Sequence, residues 1–185
     1  MAFATIDVTK GITGTIPVAN GGTGLASGTS GQFLKFTGST TVASSALGAT
    51  GKIVGHAHAI TSSETATNSG SAVATTLTVD YTATSTSNSL LIFVNHAQYY
   101  MNSPEQALIL ELWKDSSVLD RIQQGVGYSD SAAHISGGSL VYKASIGDTN
   151  SHTYKTMFWR QVGSGYVYTQ VNTSASSITV QEIAS

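Results

Sequence analysis

Two histidines alternate at His56-Ala57-His58. On a β-strand residues i and i+2 share a face, so both imidazoles would project the same way. Neutral imidazoles suit a first-row transition ion, which makes His56 and His58 the candidate metal ligands. The remaining histidines, His96, His134 and His152, are isolated in sequence and read as solvent-facing or hydrogen-bonded. The chain holds no Cys, which excludes disulfides, thiolate zinc sites and a cysteine nucleophile. No G-x-S-x-G nucleophile elbow is present. Gly48–Gly55 carries a Gly-Lys without the spacing of a phosphate loop, and Gly22-Thr23-Gly24 begins like a dinucleotide motif but has Ser27 at its third glycine position. Glycoside hydrolysis needs two carboxylates at a set separation, and the acidic residues are scattered. Catalysis is therefore not expected.

Binding chemistry is better represented. Tyr99 and Tyr100, in the stretch 95–105, could stack on sugar rings and donate hydrogen bonds, or could plug one end of a sandwich. Polar turns offer Asp115, Asp148, Asn150 and His152 as further receptor-contact candidates.

Strands must carry these residues. Period-two alternation predicts nine of them, at 52–60, 75–82, 89–97, 106–114, 118–123, 139–146, 153–162, 165–171 and 177–183. The segment 89–97 is apolar on both faces and should be central, while Asp115–Ser117 should turn a hairpin. No window keeps a helical period. The expected fold is all-β, an antiparallel, jelly-roll-like β-sandwich.

Composition divides the chain. Residues 1–80 contain only Phe3, Phe33 and Phe36 as aromatics, and aromatics supply most of the burial in a small core. The expected division is an extended Gly/Thr/Ser-rich N-terminal stem over 1–50 and a head over 51–185. The stem is too poor in apolar residues to fold alone, yet it is neither charged nor Pro-rich like a disordered segment. Its spaced apolar residues Ile6, Val8, Ile12, Ile16 and Val18 are the candidate anchor. Eight Lys and Arg against ten Asp and Glu leave no basic face for nucleic acid. The longest apolar run, Leu90–Val94, is far short of the ~20 residues of a membrane span, and the N-terminus shows no secretory pattern.

The stretch ITGTIPVANGGTGLASGTSGQFLKF, Ile12–Phe36, resembles the PVANGGTG segment of bacteriophage tail-fibre and other virion-fibre proteins. Pro17 would hold an extended entry, and Gly21, Gly22 and Gly24 would permit close backbone approach around an axis. The remainder, with NSLLIFVN, the ALILELWKDSSVLD hairpin and the terminal ITVQEI, is similar to the small heads that end such fibres and to the C1q/TNF type of jelly roll. The resemblance implies a homotrimeric structural protein of the virion. Its N-terminus would dock on a tail adaptor, baseplate or capsid, and its head would meet a host surface glycan or protein. The early position of the collar segment implies a short appendage. A capsid decoration fibre without a receptor role, and a carbohydrate-cleaving tailspike, are the alternatives. Ile178 and Val180, in the last strand, are the candidates for lining the trimer interface or its adjoining core, and His56 and His58 from three copies could hold a transition-metal ion on the axis. A C-terminus at the base of the head, as in similar trimers, would put 115–117, 147–152 and 172–177 at the distal end.

Overall fold

A computed structural model describes residue 25 and residues 28–39, 41–48, 50–126 and 134–185. The anchor candidates Ile6, Val8, Ile12, Ile16 and Val18 and the Pro17–Gly24 segment lie outside the described residues, as does the His134 side chain. The chain forms two compact units, one ending at Gly48 and the other Ala49–Ser185.

In the first unit, β1 (Phe33–Phe36) and β2 (Val42–Ser45) pair as an antiparallel hairpin, Phe36 opposite Val42. The sequence led us to expect extended stem here. Instead FLKF and VASS flank a Gly/Ser/Thr turn, closed by the Thr37 N–H donating to the Thr41 carbonyl at 3.0 Å. All four residues of β1 are exposed, so this hairpin buries little by itself.

The second unit is a β-sandwich. Its strands are β3 (Ile53–Thr61), β4 (Thr65–Thr67), β5 (Val73–Thr82), β6 (Ser89–Met101), β7 (Ala107–Lys114), β8 (Ser117–Val126), β9 (His134–Ser145), β10 (Ser151–Val162), β11 (Val167–Thr169) and β12 (Ser176–Ile183). One sheet runs β5-β10-β7-β8; in the other, β3-β12-β6-β11-β4 are linked in turn and β9 takes the free edge of β6. As expected, β6 is central, between β12 and β9.

The larger sheet is simpler than its strand count suggests. Thr169 lies opposite Tyr99 and Ser177 opposite Asn95, both pairings antiparallel. Hence β11 and β12 follow one another in the same direction along one edge of β6. β4 and β3 pair with them in the same tandem way. Counting each tandem as one interrupted strand gives two four-stranded sheets, β3/β4–β12/β11–β6–β9 and β5–β10–β7–β8. The chain crosses between them in a jelly roll, with the β7–β8 hairpin staying within one sheet.

Strand parity builds the core. Leu77 and Val79 of β5, Leu90, Ile92 and Val94 of β6, Leu108, Leu110 and Leu112 of β7, and Phe158 of β10 form one buried cluster with Ile178 and Val180. Ile178 and Val180 are each 0% exposed within the single chain. They are core residues of the head, which is the core alternative of that expectation. Inward parity on a central strand sends them between the sheets.

The tandem connection also corrects the expected polarity of the head. The stretch 165–183 reads as two strands reversed at a hairpin, whereas its two pieces do not reverse. The Gly51 N–H donates to the Ala184 carbonyl at 2.7 Å and the Ala184 N–H to the Lys52 carbonyl at 2.9 Å. Ser89 lies opposite both Ile183 and Ser145, and Thr82 opposite Ser151. Turns 83–88, 115–116 and 146–150 thus share the end at which the head begins and finishes. Residues 172–175 instead lie midway along the larger sheet.

Candidate functional site

At the entry end, four of the receptor-contact candidates meet. In the two-residue turn between β7 and β8, Asp115 takes a left-handed φ of 53°. Its Oδ1 accepts the Thr153 N–H at 2.9 Å, and its Oδ2 lies 2.7 Å from His152 Nδ1. The other ring nitrogen, His152 Nε2, lies 3.0 Å from Asp148 Oδ1, which also accepts the Asn150 N–H at 2.7 Å. Carboxylate oxygens only accept, so both imidazole bonds are complete when both ring nitrogens carry hydrogen. The Thr153 N–H and then His152 hold the Asp115 carboxyl below its ordinary range; the Asn150 N–H and then His152 do the same for Asp148. His152 is therefore not isolated: it clasps two loops together. The two carboxylates occupy opposite sides of the ring, an arrangement that offers no common point for a cation.

The tyrosine candidates separate. Tyr99 is 1% exposed, with its hydroxyl donating to the Gly137 carbonyl at 3.2 Å, and belongs to the core. Tyr100 points to the opposite, outer face of the larger sheet. There its ring centroid lies 5.5 Å from that of Tyr168, and Tyr166 lies 6.2 Å from Tyr168. Ile135 is the partner of Tyr100 on β9. Tyr100, Tyr168 and Ile135, with Glu64, Val171 and Asn172, line a cleft of about 350 Å³.

His56 and His58 lie on the same outer face, both exposed, as the alternation required. His58 Nδ1 is 2.9 Å from Thr179 Oγ1. Among the described residues no group of three or more ligating side chains gathers here or elsewhere. Strand pairing puts His58, Thr179, Phe93 and Val141 in one row across the sheet, and His56, Gln181, Leu91 and Lys143 in the next. Ile60 (65%), Phe93 (37%) and Val141 (61%) are exposed on this face. The outer face of the smaller sheet differs. Its β5 presents Thr76, Thr78, Asp80 and Thr82, and on β7 Glu111 accepts from Trp113 Nε1 at 3.0 Å and from Arg121 Nε at 3.0 Å. Its exposed large aliphatic residues, Val118 and Val162, sit at strand ends.

Among the buried polar groups, Glu182 and His96 are ionisable side chains whose burial was not expected from sequence. Glu182 is 0% exposed. Its carboxylate accepts from the Tyr81 hydroxyl at 2.7 Å, Asn88 Nδ2 at 2.6 Å, the Thr84 hydroxyl at 2.7 Å and the Thr84 and Ser85 N–H groups. Burial alone would raise Glu182, but Asn88, Thr84 and Tyr81 outweigh it and hold its pKa at about 2. His96 is also 0% exposed, with Nε2 3.0 Å from Gln170 Nε2 and Nδ1 without a hydrogen-bond partner among the described residues. Burial lowers its pKa to about 4. Strand parity was the available signal, since His96 continues the inward series Leu90, Ile92, Val94, and Glu182 continues Ile178, Val180.

No protein-family model matches this sequence, and no curated protein matches it. Among solved structures, the VP2 subviral particle of infectious bursal disease virus overlaps at TM-score 0.44 and 11% identity, over 81% of this chain and 37% of that one. The Gx strain of the same virus gives TM-score 0.42 at 11% identity, over 81% of this chain and 36% of that one. The Gt strain gives 0.40 at 9% identity, over 82% and 42%. The chain thus spans less than half the length of these structures.

Proposed function

We propose that this chain is a structural protein of a virion, the short homotrimeric fibre of a bacteriophage. Its N-terminal stem attaches to the particle and its jelly-roll head meets the host surface. The observation that carries this reading is the contrast between the two outer faces of the sandwich. The smaller sheet presents Thr, Asp and a satisfied Glu–Arg–Trp cluster. The larger leaves Ile60, Phe93 and Val141 uncovered on a continuous sheet surface. A second and third copy packed there would remove those side chains from water, at roughly 1.5–3 kcal/mol for each one fully buried. The PVANGGTG segment and the exposed β1–β2 hairpin support the same assembly, because both become favourable when copies lie side by side. Attachment would use the apolar residues Ile6, Val8, Ile12, Ile16 and Val18 against a tail or capsid protein. No catalytic role is part of this reading.

Native mass spectrometry tests it. The full chain should be trimeric at micromolar concentration. Val141→Asp should yield folded monomers, since position 141 faces outward and tolerates charge in an isolated head. A monomeric wild type, or a Val141→Asp protein that stays trimeric, would overturn the assignment.

A further inference from the structure

We propose that the cleft lined by Tyr100 and Tyr168 binds a hexopyranose ring. That the sugar belongs to a host surface glycan rests on the fibre reading; the chemistry of the cleft does not.

The cleft lies where the larger sheet is interrupted. Thr61 pairs with Ser176 and Thr65 with Thr169, so β3/β4 and β12/β11 break at the same level. The register of β6 against β9 shifts between His96 and Tyr99 at that level too. Two adjacent strand lines are therefore interrupted together, and the neighbouring β6 bulges beside them. An uninterrupted sheet would cost less. Gln170, Asn172 and Thr173 hold left-handed φ values of 56°, 54° and 57° without being glycine, and Thr173 is β-branched, where such a φ is most unfavourable. Behind them His96 is buried against Gln170. Strained backbone and buried polar pairs persist where surrounding packing imposes them, and they concentrate at binding sites.

The lining matches a sugar. A pyranose has apolar C–H faces and a rim of hydroxyls. Tyr100 and Tyr168 supply two adjacent rings tilted 43° to each other, an aromatic surface for one such face. Among the described residues the exposed Glu64 carboxylate has no partner, which leaves both oxygens to accept from vicinal hydroxyls. Asn172 donates to Gln98 Oε1 at 3.3 Å and keeps its own carbonyl oxygen as an acceptor. The volume of about 350 Å³ falls at the lower end of small-molecule sites, ~300–1,000 Å³. The free carboxylate disfavours an anionic ligand.

Saturation-transfer NMR on the full chain tests the site, with methyl α-D-glucopyranoside, methyl β-D-galactopyranoside and N-acetyl-D-glucosamine as separate probes. At least one probe should receive saturation on its ring C–H protons. Tyr168→Ala should abolish that signal. Glu64→Gln, an exposed and structurally mild change, should weaken binding about tenfold, the equivalent of one charge-assisted hydrogen bond. Silence from all three probes overturns the proposal, as does an unchanged signal in both variants. It also falls if either variant alters the number of copies in the assembly, since the cleft would then be a contact between copies. A monomeric wild type that still receives saturation would refute the fibre assignment and leave the sugar site standing.

Discussion

Acid should loosen this protein through a single buried imidazole. His96 sits at inward parity on β6, fully enclosed, with its pKa lowered from 6.5 to about 4 by burial. The fold therefore holds the neutral ring, whereas the unfolded chain takes up a proton below pH 6.5. Stability contributed by the neutral ring is complete above 6.5, declines as pH falls through the window, and levels off below about 4. Between pH 7 and 5 the linkage amounts to about 2 kcal/mol, and over the whole window to about 3 kcal/mol. Urea midpoints at pH 7 and pH 5, compared for the wild type and His96→Gln at one protein concentration, isolate the effect. Contributions from groups common to both proteins cancel in the comparison. The variant should lose stability at pH 7, because the Gln170 contact changes, but should shed most of the pH dependence between 7 and 5. If His96→Gln keeps the full slope, the proton taken up on unfolding does not belong to His96 and the burial argument fails.

Further outcomes follow from other positions. Glu182→Gln should cost about 2–4 kcal/mol in denaturant unfolding, because an amide N–H₂ would face donors from Tyr81, Thr84, Ser85 and Asn88. In the wild type the lowered Glu182 contributes stability above pH 4.5 that is lost as pH falls toward about 2, visible as a second acid-unfolding step absent from the variant. Gly55→Ala should destabilise by roughly 1–3 kcal/mol, since its methyl would collide with the Tyr81 hydroxyl that donates to Glu182. His152→Ala should speed hydrogen exchange at the Asn150 and Thr153 amides, which the clasped carboxylates hold, and leave exchange in β6 unchanged. Val180→Asp should unfold the head because position 180 is fully buried, whereas Val141→Asp should lower assembly alone. Deleting residues 1–20 should leave a folded head that no longer incorporates into particles; incorporation at normal copy number would put the anchor elsewhere.

Much of the head was legible because strand formation and facing are local properties. Alternation in TTLTVDYT and in SITVQEI determined which side chains face inward, and burial follows that parity residue by residue, whereas in ALILELWK the outward Ile109 and Glu111 are buried as well. The two-face apolarity of SLLIFVN determined that β6 is central, and the His-x-His spacing determined that His56 and His58 share a face. The same parity held the signal for His96 and Glu182, which stood unread because a polar residue in an apolar series resembles an exposed one until its partners are known.

Strand order, direction at the breaks and the gathering of loops were decided only by the tertiary structure. A polar stretch such as NTSASS looks alike whether it reverses the chain or steps it sideways along the same neighbour; the choice is made by pairing to β6, some 75–80 residues away in sequence. That one step moved Asp115, Asp148 and His152 to the end where the head begins and finishes, and it aligned the sheet breaks that open the tyrosine cleft. Side-chain facing follows from the backbone geometry of adjacent residues, so sequence alone determined it. Position among strands follows from hydrogen bonds between residues far apart, so only the folded chain could decide it.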